Sequence, residues 1–568
     1  MTGELKPLVS NFTQNQNRLP TMAKSAASGT RKLKAPRRPS TKKTSEPAVV
    51  KETPPPSHTL ILDNGGDSVR YGWSSDTSPT SMPNMTARLP QQWTVPVGDQ
   101  ILQLQNPNLA AITRSTERGI IHNLGNQVQV WKRILDLLQV VIIVGKPSDA
   151  ATVYGWKQQQ PTASSILSTQ CAVLIGLAPL TPRCILDQIV AVWIEDLGFS
   201  HVGFYVSSVA AARPSRGLSV SNEDTKDEDV PIACVVDIGW SATWVVPVLL
   251  GEQPRILSLR RMALGGRQLM QIWKYWVTYR QWNLMDQDFV VRHAMEQTSF
   301  VSLDFPGDMK RALRTPSGRR PWDRNYVLPD YDTTREGVVQ IPEAVQRELD
   351  RLASGELEQG EDEDSAEDED YNDDDMMKDD DGDEEVLLPD TTMEPVDVSD
   401  DEEDEAMLRQ RLLAQRREEE LRRRALEESQ QVLRISTERF AISEILFQPQ
   451  DAGLPLEWAG LPLTIVQAIE ASPELFRPAL YQSIQLLGGL SQLPNLLERL
   501  ESEVRVLAPC EYKVRITKAA DPTCGAWHGA REIAKSKPYR QWSVGRDEWN
   551  GTRGVWERLL SSKGGLYT

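Results

Sequence analysis

Cysteine and histidine are scarce in this chain of 568 residues, with five of each, and neither type clusters. Cys171, Cys184, Cys234, Cys510 and Cys524 form no CxxC pair, and His58, His122, His201, His293 and His528 lie far apart. A structural zinc site is therefore not expected. Isolated thiols predict a reduced, intracellular protein whose cysteines are buried. Long apolar runs are missing too: Val140 to Val144 falls far short of the roughly 20 residues needed to cross a bilayer. The N-terminus also lacks the apolar core of a secretory signal. The expectation is a soluble protein without a membrane partner.

What is present supports a large core, because 39% of the residues are hydrophobic. The formal net charge of −17 is spread unevenly. Residues 1–57 form a tail rich in Ser, Thr, Pro, Lys and Arg, with a composition that does not fold by itself. Its cluster of Arg31, Lys32, Lys34, Arg37, Arg38, Lys42 and Lys43 reads either as a nuclear import signal or nucleic-acid contact, or as a solvated basic tail. Folded sequence is expected over 58–330 and again over 432–534, with an insertion at 331–431 and a C-terminal tail at 535–568. Within the insertion, Glu358 to Glu405 is dominated by Asp and Glu. Ala406 to Gln431 then alternates Arg and Glu runs with Leu408, Leu412, Leu413, Leu421 and Leu426, the pattern of an exposed charged helix.

Two stretches share one plan. Thr59 to Asp63 reads as an apolar strand, followed by the turn Asn64-Gly65-Gly66-Asp67. Ala233 to Asp237 reads as a second such strand, followed by Ile238-Gly239-Trp240-Ser241 and a strand over Thr243–Val248. Each first strand ends on an aspartate. With helical stretches such as Cys184 to Leu197 between them, this predicts a duplicated α/β architecture of two lobes.

Several segments, in order, resemble the actin family. They are Leu60 to Gly65 with Arg70-Tyr71-Gly72-Trp73; Gly119-Ile-Ile-His-Asn123 with Trp131; Val173 to Pro182; Leu264-Gly265-Gly266-Arg267; Tyr326 to Asp330; Thr437 to Phe440 with Glu444 to Pro449; Leu487-Gly488-Gly489 with Pro494; and Trp527-His528-Gly529. The resemblance implies the actin/Hsp70-like ATPase fold, with two α/β lobes around a nucleotide cleft. Tyr326 to Asp330, Ser436 to Phe447 and Tyr279 to Asp286 are most similar to the nuclear actin-related proteins of SWR/SRCAP-class chromatin remodellers. That likeness implies a non-motor subunit of a complex that exchanges ordinary histone dimers for the H2AZ variant, in the nucleus with a cytoplasmic pool. Implied partners are a Snf2-type ATPase, a small zinc-finger subunit, and histones through the acidic tract.

The resemblance also assigns a site. Backbone N–H groups of a tight glycine turn cradle phosphates, and carboxylates at strand ends hold Mg²⁺ through water. The candidate nucleotide-binding residues are Asp63, Gly65, Gly66, Arg70, Asp237, Gly239, Gly488 and Gly489, and the candidate Mg²⁺ residues are Asp63 and Asp237. Departures from the family pattern weaken catalysis. Asp67 stands in place of glycine and brings a negative charge beside the phosphates. Gly66 replaces serine and removes a hydroxyl, and Trp240 replaces a small acidic residue. Near Val206-Ser207-Ser208-Val209 the glutamine that orients the attacking water has no counterpart. No catalytic residue is assigned. A structural ATP or ADP with Mg²⁺ and an empty cleft with turns kept for packing both remain open. The insertion matches a region of filament contacts in the family, so filaments are not expected. An active ATPase or small-molecule kinase, a cytoskeletal actin-like protein and a free histone chaperone are the competing readings.

Overall fold

The computed structural model describes residues 56–90, 93–144, 152–153, 166–212, 232–249, 257–278, 281–332, 334–354, 417, 431–455, 457–519, 521–536 and 539–549. Its frame is set by strands that are apolar on both faces. In β1 (His58–Asn64) the side chains of Leu60, Ile61 and Leu62 are all fully buried. Leu60 and Leu62 enter one core while Ile61 enters another, as the two-residue period of a strand requires. A near-continuous apolar run is what a strand covered on both sides needs.

The first sheet adds β2 (Ser68–Trp73), β3 (Thr80–Pro83), β4 (Cys171–Leu177) and β5 (His201–Val206). The second holds β6 (Ala233–Ile238), β7 (Thr243–Val248), β8 (Arg260–Met262), β9 (Ile484–Leu487) and β10 (Ile516–Lys518). The chain then returns to the first sheet with β11 (Ser543–Gly545). The strand orders are β11-β5-β4-β1-β2-β3 and β8-β7-β6-β9-β10. Both sheets centre on an antiparallel hairpin whose first strand pairs in parallel with a later one, β1 with β4 and β6 with β9. This is the duplicated α/β architecture that the two strand–turn–strand stretches predict.

Three apolar layers hold the frame together. One lies outside the first sheet, under α1 (Leu124–Leu137), which contributes Val130, Trp131, Ile134 and Leu135. Another lies outside the second sheet and takes Cys234, Val236 and Ile238 from β6. The third joins the sheets, with Ile61, Ala172 and Leu174 from the first and Ala233, Val235 and Trp244 from the second. Two helices enter this shared layer. They are α2 (Ser207–Ala211) and, near the end of the described chain, α5 (Gly525–Ser536). They approach so closely that a Cβ at Gly529 would lie 1.7 Å from the Ala210 carbonyl oxygen. Two more helices, α3 (Gly266–Thr278) and α4 (Asp288–Thr298), flank the second sheet.

Three expectations change. The segment from Tyr331 begins with ordered structure: Val338–Gln340 pairs with Arg324–Val327, which also pairs with Val432–Ile435, and a helix follows over Glu343–Ser354. The departure from the core thus lies beyond Ser354. The acidic tract lies outside the described residues, as does the charged helix apart from residues 417 and 431. At the other end, the stretch taken as a tail from 535 contains β11, which pairs with His201–Gly203. A Cβ at Gly203 would lie 2.4 Å from the Trp542 ring, so the glycine admits this late aromatic. The cysteines are not uniformly buried. Cys171 and Cys234 are, and burial pushes each thiol up to about 12, whereas Cys184 and Cys510 are exposed and Cys524 is half-buried. Among the described residues, no helix is long and apolar enough to cross a membrane. The basic tail lies outside the described residues except for residues 56 and 57.

Glu444 is buried in the second lobe and accepts from the Arg499 guanidinium at 3.3 Å. Its other oxygen has no hydrogen-bond partner among the described residues. Burial outweighs Arg499 and pushes the carboxyl up to about 7. A raised folded-state value means the native state holds the proton more tightly than the unfolded chain. Stability from this group is therefore present below about pH 4.5 and is lost as pH rises through about 7. Glu444→Gln should remove that slope and be more stable than the parent at pH 8. Urea denaturation of both proteins across pH 5–8 checks this, and parallel curves would contradict it.

Candidate functional site

Each central hairpin carries an aspartate one residue before the end of its first strand. Asp63 in β1 lies opposite Gly176 and Arg70, and Asp237 in β6 lies opposite Leu487. Both face a cavity of about 640 Å³ between the two sheets, within the size range of small-molecule sites. All eight candidate residues line it: Asp63, Gly65, Gly66, Arg70, Asp237, Gly239, Gly488 and Gly489. The place accords with the general tendency of open α/β sheets to bind ligands beyond the carboxyl ends of their strands, where the order reverses.

The turns are held by groups outside them. Asn84 donates through its backbone N–H to the Asp67 carbonyl at 2.7 Å and through its side chain to the Gly65 carbonyl at 2.8 Å. Asn84 is itself fixed by Gln127 and Ser115, both buried. The second turn rests on the first residues of α3. Gly266 donates to the Gly239 carbonyl at 3.1 Å and Arg267 to the Trp240 carbonyl at 2.9 Å. A side chain at Gly265 would put a Cβ 2.6 Å from that Trp240 oxygen, so the glycine lets helix and turn meet. Gly488 has φ +85°, and a Cβ there would lie 2.4 Å from the Ile238 carbonyl oxygen.

At the deep end of the cavity the electrostatics are those of too little positive charge. Arg70 stands 3.8 Å from Asp63, and Ser207 donates to Asp63 at 2.9 Å. Burial outweighs both and raises the Asp63 carboxyl above its ordinary value. Burial, with the charge of Asp63 added, pushes Asp237 up to about 6. Ser208 points a buried hydroxyl, which has no partner among the described residues, from the cavity wall. Two carboxylates short of a cation, an unsatisfied hydroxyl and two glycine turns fit a phosphate ligand carrying Mg²⁺.

Gly66 and Ser241 correct one expectation. The hydroxyl missing at Gly66 is supplied from across the cleft, because a Cβ at Gly66 would lie 2.6 Å from the Ser241 hydroxyl oxygen. Gly66 and Ser241 therefore share one space between the turns. A second correction concerns Asp67. Its carboxylate accepts from Arg292 at 2.7 and 2.8 Å and from Arg114 at 2.9 Å. Burial pushes this carboxyl up, but Arg292 and Arg114 outweigh it and hold it below the usual range. The charge expected beside the phosphates is thus committed to two guanidiniums. Trp240 is not an inert bulk either, since the guanidinium carbons of Arg114 and Arg292 lie 5.0 and 4.8 Å from its ring centroid.

Sequence reasoning did not find Arg114, Arg292, Asn84 or Gln127. Arg114 ends a short strand and Arg292 sits within α4, far from either turn in the chain. No local pattern marks them. Asp67 and Trp240 were visible only as departures.

The actin family model matches residues 55–557. Among curated proteins, actin-related protein 6 of Oryza sativa subsp. japonica is 29% identical over 497 residues, covering 87% of this chain and 96% of the relative. Actin-related protein 6 of Arabidopsis thaliana is 28% identical over 506 residues, covering 87% and 96%. The protein of the same name from Drosophila melanogaster is 23% identical over 507 residues, covering 88% and 99%.

The sharing of this space is testable as a cycle. Gly66→Ser alone should overfill the contact and destabilise by about 1–3 kcal/mol. Ser241→Gly in the same chain should recover most of that loss, since the two positions share one space. Chemical denaturation of the two single variants and the double variant reads the coupling, and additive losses would contradict it.

Proposed function

The chain belongs to the actin family, and from that footing we propose that it is a non-motor structural subunit of a SWR-class chromatin-remodelling complex. In this reading the complex exchanges ordinary histone dimers for the H2AZ variant, in the nucleus with a cytoplasmic pool, and a Snf2-type ATPase supplies the motor. The observation that carries it is likeness along most of the chain to proteins named actin-related protein 6. A small zinc-finger subunit is a further partner in this proposal, and the acidic tract Glu358 to Glu405 is the surface offered to basic histones.

The cleft chemistry supports a scaffold over an enzyme. Asp63 and Asp237 would hold Mg²⁺ through water, and the turn amides of Gly65, Gly66 and Gly239 with Arg70 would meet phosphates. The Gly488-Gly489 turn would border the nucleoside. Bound Mg²⁺ would neutralise phosphate charge and relieve the two raised carboxyls. Hydrolysis requires a group that places water for attack. Val209 follows Ser207 and Ser208 at the start of α2 and cannot act as one, and Trp240 fills the second turn. A nucleotide bound here would be held without meaningful turnover.

Affinity purification of the tagged chain from nuclear extract, with mass spectrometry, should recover a large Snf2-type ATPase and variant histones. Recovery alone, or with cytoskeletal proteins, would remove the remodeller assignment. The purified chain should release phosphate from Mg-ATP no faster than a blank, and steady release would restore the enzyme reading. Deleting Glu358 to Glu405 should leave assembly intact while weakening histone capture. Loss of assembly would mean that the tract is part of the scaffold.

A further inference from the structure

We infer that the cleft is held shut by a clasp built from the protein's own side chains, Asp67, Arg114, Arg292 and Trp240, so that closure does not depend on a bound ligand. The clasp joins segments from both sides of the cavity, where Phe289 of α4 also donates its backbone N–H to Asn108 at 3.1 Å. Asp67 stands at the tip of the β1–β2 hairpin on the first sheet, and Trp240 at the tip of the β6–β7 hairpin on the second. Arg292 comes from α4 beside the second sheet, 225 residues from Asp67. Arg114 ends a strand that pairs with Met85–Arg88 in the first lobe.

The geometry is that of a strong ion pair. Arg292 presents two parallel N–H donors to the two Asp67 oxygens, at 2.7 and 2.8 Å, the bidentate arrangement that gives such pairs their directional strength. Arg114 adds a third donor at 2.9 Å. The side chains are only 22% exposed for Asp67, 16% for Arg114 and 27% for Arg292, so water screens them less than it screens a surface pair. Arg292 is further steadied by Glu296 at 2.7 Å. The Trp240 ring gives both guanidiniums a face to rest on.

The carboxylate is indispensable to this arrangement. Arg114 and Arg292 repel each other, and Asp67 offsets that repulsion. Without it, two partly buried cations would share one ring with only Glu296, on Arg292, as counter-charge, which favours their separation and the parting of the lobes. A ligand whose phosphates touched both turns would draw the lobes together in its own right. Here the outer end of the cleft is already bridged, so gain or loss of such a ligand does not move the lobes. This holds whether or not the cavity takes a nucleotide.

The experiment is amide hydrogen exchange on the purified full-length chain, after nucleotide stripping with EDTA and again with saturating Mg-ADP, for the parent, Asp67→Asn and Arg292→Gln. In the parent, segments 85–88, 111–114 and 288–291, which flank the clasp without lining the cavity, should be equally protected in both states. In each variant the stripped protein should exchange there faster by about tenfold or more, as expected for loss of charge-assisted hydrogen bonds. Mg-ADP should restore that protection. Restoration absent in otherwise folded variants would keep the clasp but remove the nucleotide reading. Parent segments 85–88, 111–114 or 288–291 that lose protection on stripping, or variants that exchange there like the parent, would overturn the proposal. If Asp67→Asn does not fold, the parent comparison and Arg292→Gln still decide it.

Discussion

Two hairpin tips, one from each sheet, meet with space for a single side chain between Gly66 and Ser241. The site depends on that approach. It requires Gly265 and Gly488, where any Cβ would strike the second hairpin, and it requires Asn84 and the first residues of α3 to pin the turns from behind. Because both turns are fixed, Asp63 and Asp237 face one cavity at a separation set by backbone and not by side-chain choice. Their shared burial then raises both carboxyls.

The cleft treats its three strand-end and turn carboxylates differently, and the difference divides it. Asp67 at the outer end is saturated with guanidinium donors and stays charged. Asp63 has one arginine at 3.8 Å and one serine. Asp237 pairs with no cation among the described residues. Demand for added positive charge therefore concentrates at the deep end, while the outer end is already neutralised by the protein. A site with this gradient accommodates a ligand without needing it to hold the lobes in place.

Much of the frame was legible in the sequence because strands buried on both faces announce themselves as apolar runs. Leu60 to Leu62 and Ala233 to Val236 are such runs, and the aspartates that end them are visible beside glycine turns. The candidate residues around the cavity came from the resemblance of these and other segments to the actin family. What stayed hidden was non-local. Nothing near Arg292 signals that its partner lies far away in the chain, at Asp67, and nothing local shows that Gly66 and Ser241 share one space. The segment boundaries failed for a related reason. Val338–Gln340 is short and gains its stability by pairing with Arg324–Val327. Ser543–Gly545 is shorter than most strands and stands only because an edge at His201 awaits it.

That last pairing bears on how the chain is made. The first sheet opens with residues near position 58 and is not closed until residues 543–545 dock beside β5. During synthesis the N-terminal lobe must wait, with the β5 edge unpaired, while several hundred further residues leave the ribosome. Unpaired edges of this kind invite mispairing with other chains, and assembly from distant segments is slow. A nascent copy thus carries an open sheet edge for much of its translation.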